Sequence, residues 1–194
     1  GASALGLVGQ MPSGPGVISD ELIFSISGSV PPPVGTFLLT SETRANDIIN
    51  HWNRCHTNTI QLVDAVSNDT YLALRKSLPG VKLVQVIHVQ DEKSVDEALE
   101  IAPLVDAILL DSGNPNLEIK ELGGTGRTHN WKLSRKIRES ISVPIFLAGG
   151  LKPENIRQAI DEVKPFGIDL CSGVRTYGKL DAEKLKRFMN EVHR

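Results

Sequence analysis

An aspartate closing an apolar run is the first residue in this chain whose placement suggests chemistry. Asp111 follows Ala107-Ile108-Leu109-Leu110. A carboxyl at the end of a buried segment has its charged form disfavoured, which makes it a candidate general acid. The same position also suits a helix cap or a loop staple. Further along, Gly123-Gly124-Thr125-Gly126, Gly149-Gly150 and Ser172-Gly173 offer backbone amides with little side chain in the way, which lets a chain approach an anion closely. Because such groups recur at the ends of successive apolar runs, phosphate is the expected anion. Its expected contacts are Gly124, Thr125, Gly126, Gly149, Gly150, Ser172 and Gly173. Asp169 and Cys171 stand two residues apart in the last run, so in a strand they would share one face. If that face is the interior, Asp169 reaches the same pocket; otherwise it pairs with a helix. His88 either lines the pocket mouth or is an ordinary polar strand end.

The elements that must hold these groups are legible as an alternation of short β-branched runs with amphipathic segments of about ten to fifteen residues, the pattern of βα units feeding a parallel sheet. Strands are expected at 2–8, 35–39, 59–63, 81–89, 106–110, 143–148 and 167–171, and helices at 20–27, 41–55, 68–78, 94–102, 131–140, 153–163 and 181–192. Ser41, Asn68, Asp91 and Asp181 are suited to accept from free amides at helix N-termini, and Pro153 to occupy a first turn. Stops are expected at Pro79-Gly80, Pro103 and Pro165. Runs such as Val143 to Leu147 show little alternation, as strands buried on both faces require.

The expected fold is therefore α/β, a TIM-type βα barrel of about seven units forming a single domain over residues 1–194. Working groups in such barrels stand at the C-terminal strand ends, with phosphate customarily at the last two. Seven strands are one fewer than a closed barrel of this type uses, which leaves two edges unpaired. The expectation is a chain lacking its first βα unit, or a neighbour supplying the wall, with a homodimer through the open edges as one outcome.

Bulk properties exclude several classes. Twenty-one Lys+Arg against 23 Asp+Glu give a formal charge of -2, too balanced a field to gather nucleic acid. Two cysteines, Cys55 and Cys171, are too few and too separated to imply a disulfide framework or a zinc site, so both read as buried thiols in a reducing cytoplasm, with no metal expected. Cys55 precedes a strand and so belongs to the stability face. Met11, Met189 and Trp131 read as packing residues. No stretch reaches the roughly 20 apolar residues of a membrane span.

The motifs Leu109-Leu110-Asp111-Ser112, Gly123-Gly124-Thr125-Gly126-Arg127-Thr128-His129-Asn130-Trp131, Phe146-Leu147-Ala148-Gly149-Gly150-Leu151, Pro153-Glu154-Asn155 and Asp169-Leu170-Cys171-Ser172-Gly173-Val174, in that order, resemble the phosphoribosylanthranilate isomerase family. The resemblance is most specific from Asp106 to Val174. It implies an Amadori rearrangement of a phosphoribosyl substrate in tryptophan biosynthesis, with no metal or organic cofactor. It also implies that Asp111 is the general acid on the ring oxygen, and that the loops matching Gly124 to Gly126, Gly149-Gly150 and Ser172-Gly173 hold the phosphate.

Departures accompany the likeness. The family's general base is a cysteine in a Lys-x-Cys-Gly motif on its first strand, which these residues do not contain. Ser13-Gly14-Pro15-Gly16 stands where the family places an arginine, Gln61-Leu62-Val63-Asp64 where it reads Gln-Leu-His-Gly, and Arg175 where a glutamate is common. Impaired turnover is therefore expected. A non-catalytic phosphosugar-binding or self-associating module, or a related phosphosugar enzyme with another substrate, are the alternatives.

Overall fold

The structure, a computed structural model, describes residues 1–12, 14–114, 120, 122 and 128–193. Seven strands, β1 (Ala4–Val8), β2 (Gly35–Thr40), β3 (Thr59–Leu62), β4 (Lys82–His88), β5 (Ala107–Asp111), β6 (Ile145–Leu147) and β7 (Gly167–Ile168), form one parallel sheet in sequence order. Helices follow them in turn: α1 (Asp20–Ser29), α2 (Ala45–Cys55), α3 (Asn68–Ser77), α4 (Lys93–Ile101), α5 (Trp131–Ser140), α6 (Ile156–Val163) and α7 (Ala182–Val192). This is the expected seven-unit TIM-type βα barrel, curled but not closed, because β1 and β7 pair only with β2 and β6.

The strand alternation sorts side chains into two cores. Outward residues such as Ile60, Leu62, Leu83, Ile87, Ile108, Leu110, Ile145 and Leu147 join helix residues including Tyr71, Ala98, Ile137 and Val163 in the larger one. Inward residues Val63, Val84, Val86, Ala107, Leu109 and Ala148 form the barrel interior, with Phe37 and Phe146 packed edge-on against each other at 6.0 Å. Met11 lies against the interior, and Met189 and Trp131 against the outer core, as packing residues should.

Most helices begin where local chemistry places them. Ser19, Ser67, Asn130 and Asp181 each accept a backbone amide at a helix start, the capping expected of short polar side chains. Three starts differ from the sequence reading. Asn68 is the first helical residue of α3 and not its cap, because the preceding Ser67 hydroxyl takes the Thr70 amide. Ser41 does not cap α2; its hydroxyl donates to the Gln10 carbonyl, and the helix waits until Ala45. Pro153 lies in a turn ahead of α6, because the Asn155 side chain accepts from the Lys152 amide and donates to the Gly150 carbonyl, delaying the helix to Ile156.

The end of the sheet also differs. β7 stops at Ile168, a single turn of 3-10 helix spans Ser172–Val174, and a small hairpin, β8 (Arg175–Thr176) and β9 (Lys179–Leu180), precedes α7. Cys171 has left the extended conformation, at φ -134° and ψ -72°, so the period of two that would set it beside Asp169 has already broken. It is also half-buried rather than buried. Among the described residues, no helix is long and apolar enough to cross a membrane.

One buried polar pair ties α3 to the sheet. The Tyr71 hydroxyl donates to Gln85 Oε1 at 2.7 Å, while Gln85 Nε2 donates to the carbonyls of Leu62, Asp64 and Val86. Replacing Tyr71 with Phe leaves a buried acceptor without its donor, which costs about 1–3 kcal/mol. Denaturant unfolding should show a lower midpoint at unchanged slope.

Candidate active site

The parallel register brings the chemistry to one rim. His88 pairs level with Asp111, and both continue the inward-facing series of their strands, after Val84 and Val86 on β4 and after Ala107 and Leu109 on β5. Ala148 ends the next inward series. The Asp169 amide donates to the Leu147 carbonyl, which extends the ladder one residue past β7 and puts Asp169 on the same inward face as Gly167. Asp111 and Asp169 thus stand at the same end of the barrel, with Gly149-Gly150 leaving the strand between them.

Asp111 is only 7% exposed. Its Oδ1 accepts from the Ser112 amide at 2.7 Å. Burial is the largest influence and raises its carboxyl above the usual range, while the Ser112 amide and the charge of His88 pull the other way. Asp169 is pushed up to about 6, first by desolvation within the barrel wall and then by the Asp111 charge. Its surface is nevertheless open to solvent, so water moderates the rise. Two inward carboxyls, one of which raises the other, titrate as a pair. His88 Nε2 contacts the Val63 carbonyl at 3.2 Å, and its Nδ1 is buried without a partner among the described residues. An imidazole therefore stands beside the strand whose Gln61-Leu62-Val63 segment lacks one.

The two late loops are shaped for glycine. Gly149 and Gly150 have φ of 81° and 61°, and a Cβ on Gly149 would fall 2.9 Å from Ser112 Oγ. On Gly173 it would fall 1.8 Å from the Leu151 carbonyl oxygen. The backbone of the Ser172–Val174 turn consequently lies directly against the loop that follows β6. Asn155 fixes that loop by donating to the Gly150 carbonyl at 3.0 Å. Gly124, Thr125 and Gly126 lie outside the described residues, as does Ser13.

Comparison with known proteins agrees with this fold. A family model described as N-(5'phosphoribosyl)anthranilate (PRA) isomerase matches residues 18–191. An N-(5'-phosphoribosyl)anthranilate isomerase of Methanocella arvoryzae is 30% identical over 193 residues, covering 99% of this chain and 88% of its own. The chain belongs to the phosphoribosylanthranilate isomerase family. The Thermotoga maritima phosphoribosylanthranilate isomerase superposes with a TM-score of 0.82 at 30% identity, over 100% of this chain and 89% of that one. Another phosphoribosylanthranilate isomerase, in complex with reduced 1-(o-carboxyphenylamino)-1-deoxyribulose 5-phosphate, superposes at 0.79 with 28% identity, over 100% and 88%. The family is one of aldose-ketose isomerases of tryptophan biosynthesis.

Within this phosphoribosylanthranilate isomerase fold, the residues at the departures from the family motifs make local interactions. Asp64 pairs with Lys120, and Arg175 donates to the Gly178 carbonyl in the terminal hairpin. Two polar arrangements escaped the sequence reading. His129, held neutral by burial with its pKa lowered to about 4, bonds Ser134 Oγ at 2.7 Å. His51 bonds Thr40 Oγ1 and Asp20 at the outer side of the sheet. The second had a faint signal, a histidine four residues before a cysteine on one helix face. Cys55 is fully buried and its thiol is pushed up to about 12, chiefly by desolvation, so it is no nucleophile at neutral pH.

The carboxyl pair is testable by titration. Replacing Asp169 with Asn removes a like charge, which favours ionised Asp111, so the Asp111 titration followed by carboxyl carbon NMR should move to lower pH. An unmoved midpoint would mean that the two carboxyls do not interact.

Proposed function

We propose that the rim carries the acid half of an Amadori isomerisation of a phosphoribosyl substrate, with Asp111 as the general acid. The observation supporting this is a buried, inward carboxyl with its proton affinity raised, level with His88 and adjoining the glycine loops of β6 and β7. Asp111 protonates the ribose ring oxygen as the C1′–O bond breaks and the anilino nitrogen forms the Schiff base. A base then removes the C2′ proton, and the enolamine passes to the ketone. The 194 residues hold no Lys-x-Cys-Gly motif, so the proposal assigns them the acid but not that base.

Gly149, Gly150, Ser172 and Gly173, together with Gly124, Thr125 and Gly126, receive the phosphate. Support comes from the left-handed glycines and the backbone-on-backbone approach at Gly173, which open amides toward an anion. Asp169 faces the sugar and holds Asp111's proton by its charge. The near-neutral charge supports a phosphorylated sugar rather than nucleic acid as partner, and two free thiols support a reducing cytoplasm.

The test uses the chain joined to a first strand-helix unit bearing Lys-x-Cys-Gly, with conversion of phosphoribosylanthranilate followed by fluorescence. Asp111→Asn should lower kcat by about a hundred- to ten-thousand-fold with little change in binding of a ribose phosphate. The parent rate should fall as pH rises through the apparent pKa of the carboxyl pair, because the acid must be protonated. An Asp111→Asn protein of undiminished rate would remove Asp111 from the reaction.

A second reading concerns assembly. Beyond β2 and β6, β1 and β7 have no further partner strand within the described sheet, β1 being met on its outer edge at Val8 by Val17 and Ile18, and Leu5 and Phe166 nearby are 38% and 74% exposed. Open edges with apolar flanks seek a partner, and dimeric phosphoribosylanthranilate isomerase is known from Thermotoga maritima. Sedimentation of these 194 residues should show a concentration-dependent dimer; a monomer at all concentrations would count against edge pairing.

A further inference from the structure

On the outer face of the sheet, away from the inward rim, three side chains of metal-ligating type converge. Asp20 is the first residue of α1, and His51 and Cys55 lie one turn apart on α2. One ligand atom from each falls within 4.8 Å of the others. We propose that Asp20, His51 and Cys55 bind a divalent cation of the zinc class between α1 and α2. This site is independent of the phosphosugar reading.

The geometry of two ligands is already near that of a bound ion. His51 Nε2 and Asp20 Oδ1 are 3.2 Å apart, and two ligands at about 2.0–2.1 Å on a tetrahedral ion stand about 3.3 Å apart. Cys55 Sγ lies within 4.8 Å of both atoms, and as a thiolate it completes the set at about 2.3 Å from the same point. A carboxylate, an imidazole and a thiolate together select a borderline metal over calcium or magnesium, which take oxygen ligands alone.

The partners that orient the ligands are also present. His51 Nδ1 lies 2.9 Å from Thr40 Oγ1, so a metallated Nε2 leaves Nδ1–H to donate to that hydroxyl. Asp20 Oδ2, the oxygen turned from His51, accepts from Arg54 Nε at 2.6 Å. Metal sites characteristically hold a ligating imidazole and carboxylate this way. Gly9 completes the seat, since a Cβ there would lie 2.4 Å from His51 Cε1; only a glycine lets the imidazole pass so close to the end of β1.

Access is from the side of Asp20, whose side chain is 23% exposed while His51 and Cys55 are buried. Binding releases the thiol proton to solvent and moves the imidazole proton from Nε2 to Nδ1. The fourth position is left to a water. Because the loop ending in Ser19 and Asp20 is tied back to β1 by the Ile18 amide on the Val8 carbonyl, the ion would clamp α1, α2 and the end of β1 together.

The test titrates the purified chain, stripped with a chelator, with Co2+ and then with Zn2+ as competitor. One equivalent of Co2+ should bind with thiolate-to-cobalt charge-transfer absorption and tetrahedral visible bands, and Zn2+ should displace it. Cys55→Ser should abolish the charge-transfer absorption. Cys171→Ser, the only other cysteine, should retain it. Asp20→Asn, at the partly exposed ligand, should weaken binding at least about tenfold and provides the answer if the buried Cys55→Ser protein does not fold. Absence of the thiolate band, its loss in Cys171→Ser instead, or undiminished affinity in Asp20→Asn would overturn the site.

Discussion

Because a parallel ladder fixes which residues stand level with one another, the pairing of His88 with Asp111 decides what every neighbouring strand can contribute. Inward positions on β4 and β5 run in step from Val84 and Ala107 to the rim. A shift of one residue in β5 would turn Asp111 into the helix layer and bring Leu110 to the pocket. The register is held from outside: Ile87, Ile108, Leu110 and Leu147 are fully buried against the helices, so a slip would expose them. The polar rim is thereby fixed by apolar residues that never touch a ligand.

That rim is maintained at some cost to stability. Asp111 and Asp169 both have proton affinities raised in the folded protein, Asp111 by burial against the opposing pull of the Ser112 amide and His88, and Asp169 by desolvation and then by the Asp111 charge. For a carboxyl with a raised folded pKa, the folded state holds more protons than the unfolded chain between the two values. The contribution is fully present below about 3.8, the unfolded value, and is lost as pH rises through the folded one, about 6 for Asp169. At neutral pH these carboxyls therefore oppose folding. Asp20 and Asp106 behave in the opposite sense: burial acts against them, yet Arg54 and His51 beside Asp20, and the Leu83 amide with Arg75 and Lys82 beside Asp106, hold both below the usual range. Their stabilisation is present above the unfolded value and lost as pH falls.

Strand identity was legible in the sequence because runs such as Ala107 to Leu110 are apolar on both faces, and the same reading located Asp111 at a strand end. Helix starts were legible only where the cap was local. Asp181 caps α7 as expected, whereas Ser41 was drawn to Gln10 thirty-one residues away, a competition no local pattern contains. The break after Asp169 was hidden because an apolar run does not announce where its hydrogen-bond ladder ends. The gathering of Asp20 with His51 was hidden for a related reason: the two are thirty-one residues apart and meet only when β1 and β2 lie side by side. Counting cysteines could not reveal it, since a single thiol suffices when the other donors come from oxygen and nitrogen.

The two cores explain how an open barrel keeps its rim in order. The outer core, between strands and helices, includes buried residues from β3 through α7 and needs no contact between β1 and β7. The interior core is smaller, and its members Phe37 and Phe146 are only partly buried, as the open side of the sheet requires. Since burial scales with apolar area removed from water, most of the stabilising contribution comes from the outer layer, which is complete around β4, β5 and β6. Those are the strands that present His88, Asp111 and the Gly149-Gly150 loop. The acid and phosphate side of the site thus rests on the well-packed part of the molecule, and the exposed edge of β1 bears on the opposite wall.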